Sequence, residues 1–139
     1  MEKIIYSAGF YKNKAKNLKA CAEILVQKHQ GRVPQTIDEL VPLPGVGRKT
    51  ANVVLGNAFG IISGVVVDTH VGRLSRRLGW TKLVDPEQVE QALMKIVSQE
   101  DWIMISHYLI SHGRKYCKAR SPDCENCFLF DLCPKRGVN

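Results

Sequence analysis

Apolar residues recur at steps of three and four along much of the chain, which is the spacing of one face of an α-helix. In the first such stretch, from Lys12 to His29, the apolar positions are Ala15, Leu18, Ala22, Leu25 and Val26. Gly31 follows as a stop signal for this helix. Cys21 flanks the same stripe, and we interpret it as a small core residue.

Capping residues predict where the next helices begin. Thr36 and Glu39 form a capping box, in which two side chains satisfy the amides at the start of a short helix that runs through Leu40. Asp68 is a predicted N-cap for a helix that ends at Gly79, and Asp85 caps another helix. The apolar positions expected inside the later helices are Ala51, Val54, Leu55, Ala58 and Phe59; Val71, Leu74 and Leu78; Val89, Leu93 and Val97; and Trp102, Ile105, Leu109 and Ile110.

The pattern predicts an all-α protein with short connections. Residues 61–67 are the only stretch that could form a strand, and a single strand cannot make a sheet. The 139 residues correspond to one domain of ordinary size. No stretch approaches the length of a membrane span, and the first residues lack the apolar run of a signal peptide. We therefore expect a cytoplasmic protein, associated with the nucleoid, that has no membrane partner.

The charge balance points to an acidic partner. Twenty Lys and Arg residues against thirteen Asp and Glu residues give a formal net charge of +7. Such a balance favours a polyanion as the partner, and nucleic acid is the first candidate.

A two-glycine turn joins two predicted helices in the segment LPGVGRKTAN at 43–52. Gly45 and Gly47 permit positive φ angles and a close approach of another backbone. The amides of the turn and of the next helix start would form an anion site at the positive end of the helix dipole. Two glycines with this spacing and no other signal would indicate only a tight turn between helices. The capped helix before it and Arg48 with Lys49 after it favour a helix-hairpin-helix phosphate clamp, which contacts the DNA backbone and reads no sequence.

Lys49 and Asp68 each have two interpretations. Lys49 would lie at the positive end of a helix dipole and next to Arg48. Both positive neighbours disfavour its charged form, which suits a nucleophilic amine. It could equally neutralise one more phosphate. Asp68 could act only as an N-cap, or it could also stabilise a developing positive charge.

Three arginines follow Asp68 on the same helix, at positions 73, 76 and 77. A solvated helix face and a phosphate-contacting face are both consistent with this pattern.

Four of the five cysteines lie within seventeen residues, with the spacing C-x6-C-x2-C-x5-C. This clustering favours a metal site over disulfides. The spacing fits either zinc or an iron–sulfur cube. His112 would be a further ligand in a zinc site, although an ordinary helix histidine is the simpler interpretation. Lys118 and Arg120 place two cations on the rim of the site. The four cysteines are Cys117, Cys124, Cys127 and Cys133.

Together, the 43–52 segment, the sequence VDTH at 67–70 and the cysteine spacing resemble the endonuclease III family of DNA glycosylases over essentially the whole chain. The resemblance implies a helix-hairpin-helix glycosylase fold. Its partial helical barrel would span 1–84, with the hairpin at about 36–59, and a helical domain at 85–139 would hold a [4Fe-4S] cluster on the four cysteines.

The resemblance also implies an activity: base excision repair by a bifunctional glycosylase and AP lyase that removes oxidised pyrimidines. Lys49 matches the nucleophile of the family and Asp68 its catalytic aspartate. The expected partner is double-stranded DNA that contains a damaged pyrimidine or an abasic site. Phe10 matches an apolar residue that wedges into the duplex. The other expected DNA-binding residues are Gly45, Val46, Gly47, Arg48, Lys118 and Arg120.

The first several helices of the family have no counterpart in this chain. We therefore expect apolar core surface to be exposed where those helices pack, unless an N-terminal segment or a partner covers it. The alternative to an active enzyme is a catalytically impaired, truncated protein that still binds DNA.

Overall fold

The computed structural model describes residues 2–138, and within them the chain is helical. No strand occurs in this part of the chain, and residues 61–67 form no regular element, so the all-α class is confirmed. A 3₁₀ turn at Gln99–Asp101 precedes the last helix. The helices are α1 (Tyr11–His29), α2 (Ile37–Leu40), α3 (Arg48–Phe59), α4 (Thr69–Arg77), α5 (Pro86–Met94) and α6 (Trp102–Lys115).

The predicted N-caps are confirmed. The carboxylate of Asp68 accepts a hydrogen bond from the Val71 amide at 2.8 Å, and Asp85 accepts bonds from the first turn of α5. Thr36 accepts a bond from the Glu39 amide, as the capping box requires. The other half of the box differs, because the Thr36 hydroxyl donates to the Glu39 carboxylate at 2.7 Å. A hydroxyl can donate and accept at once, so the pair closes on itself.

One predicted helix end is confirmed, and another needs correction. α1 ends at His29, and Gln30 already adopts a left-handed conformation before Gly31 does. Both of their amides donate to the carbonyl of Leu25, which satisfies the helix end. α5 ends at Met94 rather than at Val97, whose amide bonds to the Leu93 carbonyl in a following turn.

The chain divides into two compact units, and the division falls between Ile61 and Ile62. The first unit contains α1 to α3. Its core consists of Leu40, Leu43, Ala51 and Leu55, against which Cys21 packs together with Ile24 and Leu25. The interpretation of Cys21 as a core residue is therefore confirmed. The predicted boundary between a barrel domain at 1–84 and a cluster domain at 85–139 remains a prediction.

One side of α1 is exposed, although the periodicity predicted a single buried stripe. Cys21, Ile24 and Leu25 face the core of the first unit. Leu18 is 51% exposed and Val26 is 68% exposed. The apolar positions of α1 therefore form two adjacent stripes, and only one of them is covered. This exposed stripe agrees with the expectation of uncovered apolar surface.

The second unit has its own core, built from α4, α5 and α6. None of the described helices is long and apolar enough to cross a bilayer. α4 and α6 pack closely at Gly113, which has no side chain. A Cβ atom built there would lie 2.8 Å from the ring of His70 and 3.1 Å from the guanidinium of Arg73. The buried residues of this core are Val65, Val67, Val71, Leu74, Val89, Leu93 and Leu109.

Candidate functional site

The hairpin between α2 and α3 is a turn that only glycine fits at its first position. Gly45 has a φ of 76°, and a Cβ atom built there would lie 2.9 Å from the Cβ and the amide nitrogen of Asn17. The sequence did not predict that Asn17 blocks a side chain at position 45, because helix periodicity gives no information on a contact between residues 28 positions apart. Gly47 differs from the prediction: its φ is −90°, which any residue adopts.

We expect Gly45→Ala to lower the free energy of unfolding by about 1–3 kcal/mol, because it adds a strained φ and a contact that Asn17 cannot easily relieve. Gly47→Ala is the matched control, since nothing lies within 4 Å of its Cβ position. It should cost less, about 1 kcal/mol or below, through a poorer helix cap. Urea unfolding followed by circular dichroism measures both. Equal losses would contradict the assigned role of Gly45.

Arg48 and Lys49 occupy the first turn of α3, directly after this hairpin. Gly47 caps the helix without a side-chain hydrogen bond, and the first turn holds no acidic residue. Lys49 is exposed to solvent. Two cations at the positive end of a helix dipole are unfavourable for folding, so their position favours a ligand that carries negative charge.

Asp68 is half-buried at the start of α4 and belongs to the second unit, whereas Lys49 belongs to the first. One of its carboxylate oxygens accepts the Val71 amide. The carboxylate is thus held in one orientation by the helix start.

The four clustered cysteines line a single cavity in the second unit, together with apolar residues such as Leu74 and Leu129. None of them forms a disulfide in the part of the chain that the structure describes. Two sulfurs receive N–H contacts: Arg77 approaches Cys117 Sγ at 3.4 Å, and the Lys135 amide approaches Cys133 Sγ at the same distance.

The four sulfurs line this cavity without converging on a site for a single ion. A single zinc needs its four sulfurs at about 2.3 Å from one point. No three Cys, His, Asp or Glu side chains of residues 2–138 converge closely enough for that. Four sulfurs around one cavity, with apolar walls and N–H donors, fit an iron–sulfur cube.

The arginines of α4 hold the cysteine loop in place, and neither interpretation of the sequence anticipated this. Arg73 donates to the Cys117 carbonyl at 3.0 Å. Arg77 is only 9% exposed and donates to the carbonyls of Lys118 at 2.7 Å and Ala119 at 3.2 Å. Burial, and then the adjacent Arg77, lower the pKa of Arg73. These contacts span 41 to 44 positions, so no local pattern could predict them.

His112 also lines the cysteine cavity, where its Nε2 lies 3.6 Å from Cys127 Sγ. Its ring packs against Tyr116 and Phe128, and burial lowers the pKa of His112. Its Nδ1 is buried without a hydrogen-bond partner among the described residues. It is therefore more than an ordinary helix histidine: it is part of the wall of the cluster site.

Three predicted DNA-contacting side chains lie exposed on loops. Phe10 is 86% exposed and caps α1 with a φ of 57°, which is unusual for an aromatic residue. Lys118 and Arg120 are exposed in the loop between the first two clustered cysteines. Each is sterically accessible to a large partner.

Comparison with known proteins agrees with these features. The family model described as "HhH-GPD superfamily base excision DNA repair protein" matches residues 1–99, and that of the iron–sulfur binding domain of endonuclease III matches residues 117–133. The chain belongs to the HhH-GPD superfamily of base excision DNA repair proteins. Its cysteine loop is an iron–sulfur domain of the endonuclease III type, which supports a [4Fe-4S] cofactor and confirms that prediction.

Individual relatives are similar over nearly the whole of this chain. Endonuclease III of Synechocystis sp. is 54% identical over 134 residues, and that of Bacillus subtilis is 48% identical over 134 residues. Each alignment covers 96% of this chain and 61% of the relative. A solved non-covalent complex of endonuclease III with DNA superimposes with a TM-score of 0.90 at 48% identity, covering 96% of this chain and 63% of that chain. The chain thus spans a little over three fifths of the length of these relatives.

Proposed function

We propose that this protein is a bifunctional DNA glycosylase and AP lyase that removes oxidised pyrimidines from duplex DNA. The observation that carries the proposal is the exposed Lys49 in the first turn of α3, directly after the hairpin turn. That hairpin lies within a chain similar to endonuclease III proteins, one of which was solved with DNA. The hairpin would bind the phosphate backbone, and Phe10 would wedge into the duplex where a nucleotide is flipped out.

The proposed chemistry uses Lys49 as the nucleophile. Its neutral amine attacks C1′ of the flipped nucleotide, the bond from C1′ to the base breaks, and the base leaves with the electron pair. The sugar ring then opens to an imine between Lys49 and C1′. Loss of a proton from C2′ expels the 3′ phosphate, which breaks the strand by β-elimination. Asp68, oriented by the hydrogen bond from the Val71 amide, would stabilise the cationic sugar or help to deprotonate the amine.

The cysteine residues would hold the [4Fe-4S] group, with Arg77 and the Lys135 amide as donors to its thiolates. When bound, such a cluster ties the four cysteines into one rigid loop, and its redox chemistry is not needed for any of the steps above. The loop in turn would present Lys118 and Arg120 to the phosphate backbone.

Borohydride trapping tests the proposal. The protein is incubated with a duplex that carries one oxidised pyrimidine, and borohydride reduces the imine to a stable amine. We expect a covalent protein–DNA band and a nicked strand.

A second candidate function is supported by the exposed stripe of α1. In this case the chain binds DNA through the hairpin and the cysteine loop but has no productive base pocket. Salt-dependent duplex binding without any trapped band, from protein with absorbance near 400 nm, would favour this second function over the enzyme.

A further inference from the structure

A strongly cationic cavity lies in the second unit, and the proposed chemistry does not use it. It has a volume of about 600 Å³ and is built from the last turn of α4, the following turn and the C-terminal segment. No aspartate or glutamate of residues 2–138 lines it. Its lining residues are Arg73, Arg76, Arg77, Thr81, Lys82, Arg136 and Gly137.

The five cations of this cavity fall into two groups. Arg73 and Arg77 are already committed to the cysteine loop through the carbonyl bonds described above. Arg76 makes only a 3.5 Å contact with the Leu83 carbonyl, at the limit of a hydrogen bond. Lys82 and Arg136 are exposed, and neither has a carboxylate partner within residues 2–138. Three cations are therefore available to a ligand.

The backbone holds these three cations close together. The amides of Trp80 and Thr81 both donate to the Ser75 carbonyl, which fixes the turn that carries Lys82. The Arg136 amide donates to the Arg77 carbonyl at 3.2 Å and anchors the C-terminal segment beside α4. A Cβ atom at Gly79 would lie 3.5 Å from the Arg136 guanidinium, so the absence of a side chain there makes room for that group.

Like charges held together without a counterion are unfavourable, and a bound anion relieves the repulsion. The helix dipole partly stabilises basic residues in the last turn of a helix, and Arg76 is such a residue. Lys82 and Arg136 lie outside the helix and gain no such stabilisation. Three cations exceed what one monoanion neutralises. The cavity also opens to solvent through exposed side chains, unlike an enclosed pocket for a free phosphate.

We infer that Arg76, Lys82 and Arg136 form a binding site for consecutive phosphates of a nucleic-acid strand, separate from the hairpin. Side-chain cations on an open surface are the usual contacts to a phosphodiester backbone, and they position a duplex without reading its sequence. This inference rests on the proposed binding of DNA and adds a further phosphate contact to it. A free polyphosphate shares the same chemistry, so the experiment includes it.

The test measures how duplex affinity depends on salt. Each phosphate contact contributes about 0.9 to the slope of log K against log salt concentration. We expect the double variant K82A/R136A to reduce the magnitude of this slope by about 1.8. Lys95→Ala is the matched control: it removes a charge from an exposed residue of the same unit outside the cavity, and its slope should equal that of the unmodified protein. The single variants K82Q and R136Q should each reduce the slope by about 0.9.

Three outcomes would overturn the inference, and each has a different meaning. An unchanged slope in the double variant, with strong salt dependence in the unmodified protein, removes the second site and leaves the proposed DNA binding intact. No salt-dependent duplex binding in the unmodified protein removes both. Calorimetric binding of pyrophosphate that K82A/R136A abolishes, together with an unchanged duplex slope, assigns the cavity to a free phosphorylated ligand instead.

Discussion

Alanine in place of Lys49 is expected to abolish the borohydride-trapped protein–DNA band while the protein still binds the duplex. The covalent bond forms at the amine nitrogen, and alanine has no nucleophile to replace it. The rate of strand cleavage at an oxidised pyrimidine should fall roughly a thousandfold or more, as when other enzymes lose their nucleophile. Fold should be retained, because Lys49 is exposed to solvent.

One control separates this loss from a loss of charge, and a second variant tests the proposed role of Asp68. Lys16→Ala removes the same charge from an exposed position of α1 and should leave the trapped band unchanged. Asp68→Asn keeps an oxygen for the Val71 amide, so it should slow band formation without lowering the free energy of unfolding. A band of full intensity from Lys49→Ala would show that another amine reacts and would refute the proposed role.

Local signals in the sequence predicted most of the fold. Asp68 and Asp85 each cap a helix as expected, because a cap is formed within three residues of the same segment. Helix periodicity, together with the capping box before α2, located every α-helix of the described residues for the same reason. The errors arose at boundaries. Val97 keeps the apolar spacing of α5, yet its amide already belongs to a turn, because spacing does not record where hydrogen bonding stops.

Contacts between distant segments could not be predicted in this way. The arginines of α4 were interpreted as a surface face, whereas Arg77 is buried against a loop some forty positions away. Sequence spacing identified the four cysteines but left zinc and an iron–sulfur cube equally open. The choice between them needed the shape of the cavity and the family comparison. For Gly45, the sequence indicated a turn, and only the structure showed that Asn17 excludes a side chain.

Loss of Arg77 should disturb the cysteine loop, which its side chain holds through three contacts. Its guanidinium satisfies the carbonyls of Lys118 and Ala119 and approaches Cys117 Sγ. In Arg77→Ala these acceptors lose their donor in a largely buried site, where each unsatisfied group costs about 1–3 kcal/mol. We expect the free energy of unfolding to fall by roughly 3 kcal/mol or more. The absorbance near 400 nm per mole of protein should fall with it, because the first cysteine of the cluster is no longer held in place.

The comparison that makes this prediction specific is Arg120→Ala, which removes the same charge from an exposed position of the same loop and should keep both properties. Arg77→Lys retains a charge but offers one ammonium group in place of a planar fork of donors, so an intermediate loss is expected. Iron content and visible absorbance, measured on anaerobically purified protein before and after mild warming, report retention of the cluster. Normal iron content and an unchanged unfolding midpoint in Arg77→Ala would mean that the cluster alone orders the loop. Arg77 would then be only a neighbour of the site and not a residue that holds it in place.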